Sequence, residues 1–173
     1  MEIELKSFTP AEQATFRLRA LYEQAGYRKY RASRFEEYAL YQEYQRFLPD
    51  SQVITFTDLD GKLRAIKPDV TLSIAKNAQP AAGECKKYYY TEQICRPSRE
   101  SHTFSEISQM GLEFIGGQGG YAEAEAVELA VRSLAAIGPQ SVLDVGHMGF
   151  ITSLLDVLGV REEARVAALD ALR

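Results

Sequence analysis

The stretch Lys86–Gly116, KKYYYTEQICRPSRESHTFSEISQMGLEFIG, reads as two strands joined by a long loop. Lys86–Ile94 is rich in Tyr, which suits a pleated, half-buried surface. Ile107, Met110, Leu112, Phe114 and Ile115 form a second apolar run. Between them, Arg96–Ser105 is polar and carries Pro97, which has no N–H to give to a central ladder. Ten polar residues are more than a tight hairpin needs, and loops of that length are often functional.

Upstream, Thr9-Pro10-Ala11-Glu12 is a helix start: Thr9 caps, Pro10 suits the first helical position and Glu12 completes a capping box. The helix runs to about Ala25, with Phe16, Ala20 and Leu21 as its buried stripe and Gly26 as its stop. Tyr27–Arg31 alternates aromatic and basic residues and reads as a strand. Phe35, Tyr38, Tyr41, Tyr44 and Phe47 recur at three-residue steps, which predicts a helix side packed on the core, with an aromatic binding face as the alternative, closed by Leu48-Pro49-Asp50. Val53–Phe56 and Lys62–Ile66 flank the turn Asp58–Gly61 and make a hairpin; DLDG lacks the remaining ligands of a calcium loop. Asp69 then caps a short helix over Val70–Asn77.

Downstream, Gly116-Gly117-Gln118-Gly119-Gly120 lacks the Lys-Ser/Thr of a phosphate loop and reads as a plain connection. The next helix, Tyr121–Ile137, places Ala126, Val127, Ala130, Val131 and Leu134 on one side. Glu123, Glu125 and Glu128 favour its N-terminal half through the helix dipole. Gly138-Pro139 ends it. A short strand over Ser141–Val145 and helices near Ile151–Leu158 and Arg161–Leu172 follow.

The chain of 173 residues can bury one substantial core, and one domain over 1–173 is expected. Its 46% hydrophobic and 25% charged residues are ordinary for a globular protein. A net charge of −4 argues against tRNA or another nucleic acid, whose binding rests on clustered Lys and Arg. No apolar run approaches the roughly 20 residues of a membrane span, and the acidic start MEIELKSF is no signal peptide. Cys85 and Cys95 have no Cys or His at metal spacing, so no metal is expected and reduced cytosolic thiols are the default.

The tail Ser105–Gly116 resembles the glutamine-x-glycine-x-glutamate ending of motif 2 in the class II aminoacyl-tRNA synthetases, in its histidyl form. The helix followed by GYRKYR is similar to motif 1, which builds the dimer interface, although the motif's proline would fall near Ser33. KPDVT (Lys67–Thr71), with Asp rather than Glu, and DVGHMGF (Asp144–Phe150) resemble a non-catalytic relative, the regulatory subunits of ATP phosphoribosyltransferase in histidine biosynthesis. The resemblance implies an α+β fold, a class II synthetase-like antiparallel sheet flanked by helices. It covers about nine tenths of the chain but not the family's third motif, so the chain is read as truncated or naturally short.

The resemblance also implies roles. Asp69, Thr71, Gln109 and Glu113 fall on positions that recognise histidine in the synthetases. Asp, Thr and Gln oxygens can accept from an ammonium, and a second carboxylate can hold an imidazole N–H. The alternative is that these four are core polar groups that satisfy one another. Activation of an amino acid needs preorganised positive charge at the nucleotide phosphate. Counted back from Gln109 and Glu113 without gaps, the motif 2 Arg position falls on Cys95 and its acid on Pro97, which reads as a degenerate nucleotide site. Arg96 is one residue off, on the opposite face if this part is strand, and Arg99 sits in the loop. Cys95 is either a buried thiol or a nucleophile needing a base such as His102; His102 and His147 are read as loop or capping residues.

The expectation is a non-enzymatic, cytoplasmic regulatory subunit without cofactor. It would activate short-form catalytic subunits in a hetero-oligomer, with homodimers inside it and histidine as effector. Two rivals are a histidine-activating fragment and a protein-binding module with no small ligand.

Overall fold

The structure is a computed structural model and describes residues 8–44, 52–98, 100–117, 119–138 and 140–171. Phe47, Leu48-Pro49-Asp50, Arg99, Gln118, Pro139 and Leu172, used in the reading above, lie outside the described residues. The chain divides into two compact units, Met1–Ser141 and Val142–Arg173.

In the first unit, helix α1 (Pro10–Gln24) begins at the expected capping box. Thr9 Oγ1 accepts from the Glu12 N–H at 3.3 Å and Glu12 Oε2 accepts from the Thr9 N–H at 2.8 Å. Its inward stripe is Leu18 and Tyr22, with Leu21 and Ala25 beside them; Phe16, expected inside, is exposed and meets Phe8 edge-on. Helix α4 (Tyr121–Ile137) is likewise turned from the expected phase. Leu129 and Ser133 are buried, while Val127 and Val131 face outward. The reason is a polar contact hydropathy does not weigh: Ser133 Oγ meets Tyr22 Oη at 2.9 Å between the two helices.

Strands β1 (Arg28–Lys29), β5 (Cys85–Pro97) and β6 (Phe104–Gly116) form one sheet in the order β1-β5-β6. β5 and β6 are antiparallel; β1 adds a short parallel pairing to Tyr88 and Tyr89. The ladder continues through Arg96↔Ser105 and Pro97↔Phe104, so the connection is shorter than the ten residues expected. Pro97 is tolerated because antiparallel donors alternate sides. Ser98 N–H points across to Thr103 and Cys95 N–H points away to Lys67, and Pro97 shares the side of Cys95. Tyr89, Met110, Leu112 and Phe114 pack one face of this sheet against Leu18, Tyr22, Tyr27 and Leu129. On that face the Lys87 ammonium sits 2.7 Å from Glu125 Oε2 and within 5.7, 5.0 and 5.8 Å of the Tyr27, Phe114 and Tyr121 ring centres.

A second sheet, order β2-β4-β3, holds β2 (Phe35–Glu37), β3 (Ile54–Thr57) and β4 (Leu63–Ile66). The β3–β4 hairpin is as expected. Its turn closes with Gly61 N–H on Asp58 O at 2.9 Å, Gly61 at φ 79, and Lys62 N–H on Asp60 Oδ1 at 3.0 Å. The stretch after Phe35 is a correction: Phe35–Glu37 is a strand on β4, and only Tyr38–Glu43 is helix (α2). Three-residue aromatic spacing fits a helix, but Phe35 finds Phe56 on the small sheet, ring to ring at 5.2 Å. Helix α3 (Thr71–Asn77) lies between the two sheets. Its Leu72 joins Leu40, Tyr41, Val53 and Ala65, and its Ile74 joins Val70, Ala78, Tyr90 and Ile94.

The second unit is helical: α5 (Met148–Val157) and α6 (Glu162–Ala171). His147 caps α5, its Nδ1 accepting the Phe150 N–H at 3.0 Å. The strand expected over Ser141–Val145 is not formed; among the described residues no strand pairs with it, and Val142 and Val145 are exposed. A lone extended run has no ladder to hold it. Among the described residues no helix is long and apolar enough to cross a membrane.

Candidate functional site

The site is one face of the β5–β6 pair. Residues paired directly across an antiparallel ladder share a face, and alternate residues along each strand do too. The register Tyr88↔Glu113, Tyr90↔Gly111, Glu92↔Gln109 and Arg96↔Ser105 therefore sets Tyr88, Tyr90, Glu92, Arg96, Gln109 and Glu113 on one side. The segment Lys67–Val70 and the start of α3 cover that side.

Two carboxylates anchor it. Asp69, 5% exposed, accepts the Leu72 N–H on Oδ1 at 3.1 Å and so caps α3; its Oδ2 receives Arg96 Nη2 at 3.1 Å. Arg96 Nε donates to the Pro68 carbonyl at 3.0 Å. Glu113 Oε1 accepts the Thr71 hydroxyl at 2.6 Å. Burial pushes the Glu113 carboxyl above its ordinary range and the nearby Asp69 charge adds to this, while the Thr71 hydrogen bond opposes both. Gln109 Oε1 is buried without a hydrogen-bond partner. Tyr90, 3% exposed, lies over Gly111; burial first, then Glu113 and Asp69, push its phenol up to about 12, against Thr71 and Arg96.

The four residues singled out for an amino acid thus meet on one side of the sheet. Chemically the arrangement offers a carboxylate, a carboxyl of raised pKa and an unpaired amide oxygen, all acceptors for N–H donors. Cys95 and Pro97 do not join them. The register puts both on the opposite face, and Arg96 on the face of Asp69, Gln109 and Glu113. Counting back across a loop presumes the loop's length, whereas strand pairing does not. Alternation along β5 is the signal that could have found Arg96. His102, at φ 52, is exposed in the connection with its N–H on Ser98 O, while Cys95 is buried on the strand. Lys67, Glu92 and Tyr90 also lie on the covered side; Glu92 and Tyr90 read in sequence as ordinary strand positions, and Lys67 as the first residue of KPDVT without a role of its own. Among the described residues no cluster of His, Cys, Asp or Glu could hold a metal ion.

The family model described as histidyl-tRNA synthetase matches residues 2–173. The histidine–tRNA ligase of Methanocaldococcus jannaschii is 28% identical over 173 residues, covering 93% of this chain and 41% of that protein. The ATP phosphoribosyltransferase regulatory subunit of Acetivibrio thermocellus is 25% identical over 152 residues, covering 85% of this chain and 36% of that one. The chain therefore spans about two fifths of the length of these relatives. Among solved structures, a chain of the ATP phosphoribosyl transferase complex from Thermotoga maritima superposes with a TM-score of 0.67 at 19% identity, over 94% of this chain and 55% of that one. That likeness shows the fold, which is class II tRNA synthetase-like, with helices around antiparallel-rich sheets. The chain belongs to the histidyl-tRNA synthetase family.

Proposed function

We propose that the chain acts as a non-catalytic regulatory subunit of ATP phosphoribosyltransferase in histidine biosynthesis. It docks on short-form catalytic subunits in a hetero-oligomer, as a homodimer within it, and raises their activity. Histidine is the effector, held by Asp69, Thr71, Gln109 and Glu113. The coupling is a free energy shared between this site and the partner's active site.

One observation carries the reading. Two cations on the face are already held by the chain's own carboxylates, Arg96 by Asp69 and Lys67 by Glu92, while Lys86, on the same side by register, donates to the Gln79 carbonyl at 3.4 Å. The acceptors, by contrast, include one with no partner, Gln109 Oε1. A surface so arranged favours an amino acid's ammonium and imidazole N–H over a nucleotide's phosphates. The relatives named as regulatory subunits and the Thermotoga maritima complex support the partner.

The test mixes the chain with a short-form catalytic subunit and follows phosphoribosyl transfer with and without histidine. Complex formation, a higher rate and inhibition by histidine are expected. No complex and no change in rate would reject the reading.

A second reading has an observation of its own. The Arg96 side chain is 39% exposed and stands on the amino-acid face, where a cation could meet a nucleotide phosphate. With relatives named histidine–tRNA ligase, this favours histidine activation. Histidine-dependent exchange between ATP and pyrophosphate decides for it.

A further inference from the structure

The same face holds a buried ion pair that no role above uses beyond its charge. Lys67 Nζ donates to Glu92 Oε2 at 2.7 Å, with the two side chains 2% and 19% exposed. Burying two charges costs more than their attraction returns unless further hydrogen bonds hold them. Here those bonds tie three segments together. Glu92 Oε1 accepts the Ala32 N–H at 3.3 Å. The Lys67 N–H donates to Arg34 O at 3.0 Å, and Lys67 O accepts the Cys95 N–H at 3.2 Å. Lys67 thus pins the link from β1 to β2, the run Lys67–Val70 and strand β5 at one point. The next two residues of that run, Pro68 and Asp69, are the ones that receive Arg96. Glu92 in turn stands directly opposite Gln109.

We infer that Lys67, through its ion pair with Glu92, is a positioning residue for ligand recognition on this face. It fixes where Pro68 and Asp69 lie along β5, and hence where the Arg96 guanidinium and the Asp69 carboxylate stand. It also cancels the Glu92 charge beside Gln109, so that an incoming ammonium meets Asp69 and Gln109 Oε1 rather than a further free carboxylate. The effect on binding rests on the amino-acid reading of this face. The placement of Arg96 does not.

The experiment uses the full chain and two variants. Lys67→Met/Glu92→Leu replaces the pair with apolar side chains, an exchange that buried pairs often tolerate. Glu92→Gln keeps the shape and the Ala32 contact and removes only the charge. The first readout is the nitrogen NMR signal of the Arg96 Nε–H, assigned by its loss in Arg96→Lys. In the native chain this proton is held by Pro68 O and should exchange slowly with water. In whichever variant melts cooperatively, the signal should broaden or vanish. The second readout is calorimetric titration with histidine, for which a tenfold or greater rise in Kd is expected. A folded variant that keeps both the Arg96 signal and the native Kd overturns the inference. Should the native chain bind no histidine, the amino-acid reading fails, and the Arg96 signal alone decides the positioning role.

Discussion

Replacing Gly111 with Ala tests the packing at the centre of the site. An ideal Cβ there would lie 2.5 Å from Tyr90 Oη and 2.6 Å from Cζ, where ordinary contact begins at 3.4 Å. The obstacle is a ring and not the end of a flexible chain. It is 3% exposed and packed among Val70, Ile74, Ala78 and Ile94. The ring would have to move by roughly 0.8 Å in an interior with little free space. Overpacking of that kind costs about 1–3 kcal/mol. With a urea slope of about 2 kcal/mol/M, the unfolding midpoint should fall by roughly 0.5–1.5 M. The same substitution in a Tyr90→Leu background should cost much less, because the atoms it meets are gone. Urea unfolding of the four chains by circular dichroism gives the coupling. If Gly111→Ala shifts the midpoint equally with and without the phenol, Tyr90 does not lie over Gly111 and the site's floor is misplaced.

Glu113→Gln should change how stability depends on pH. Burial, then Asp69, raise the Glu113 carboxyl in the fold above its ordinary 4.5, so the folded state holds its proton more tightly than the unfolded state. Its ionisation therefore weakens the fold as pH rises from 4.5 through the raised value. The variant's advantage should grow over that window and then level off; thermal melts from pH 4 upward would show a flat difference if the reasoning fails. Lys87→Met leaves the Glu125 carboxylate with one cation fewer and should cost about 3 kcal/mol, most of it recovered in Lys87→Met/Glu125→Gln. Equal midpoints for the two variants would count against a buried pair. Thr9→Ala removes the hydroxyl that accepts from Glu12 N–H and should lower stability by about 1 kcal/mol, read from the same urea curves.

Much of the fold is legible in the sequence wherever local chemistry decides it. Thr9 and Glu12 mark the start of α1 because a capping box is satisfied within one turn. Asp58–Gly61 marks the β3–β4 turn because Gly61 must take a positive φ. The strands on either side of Arg96–Ser105 are equally plain. Where distant partners decide, the reading slips. Phe35 joins a sheet because Phe56 waits for it, and α4 turns Leu129 and Ser133 inward because Tyr22 stands opposite. The site follows the same division. Asp69, Thr71, Gln109 and Glu113 meet because the first two open one helix and the last two share a strand face. Cys95 and Pro97 fall on the other face, because an ungapped count through the loop does not weigh alternation and one residue on a strand is the difference between two faces.

The contrast between the two thiols offers a clock. Cys85 is exposed at the start of β5, whereas Cys95 is buried, its N–H bonded to Lys67 O. An alkylating reagent should modify Cys85 at once and reach Cys95 only during openings that uncover the face of β5 turned away from the site. Mass spectrometry of the doubly labelled chain would then time the opening of the strand from the side that the ligand face does not occupy.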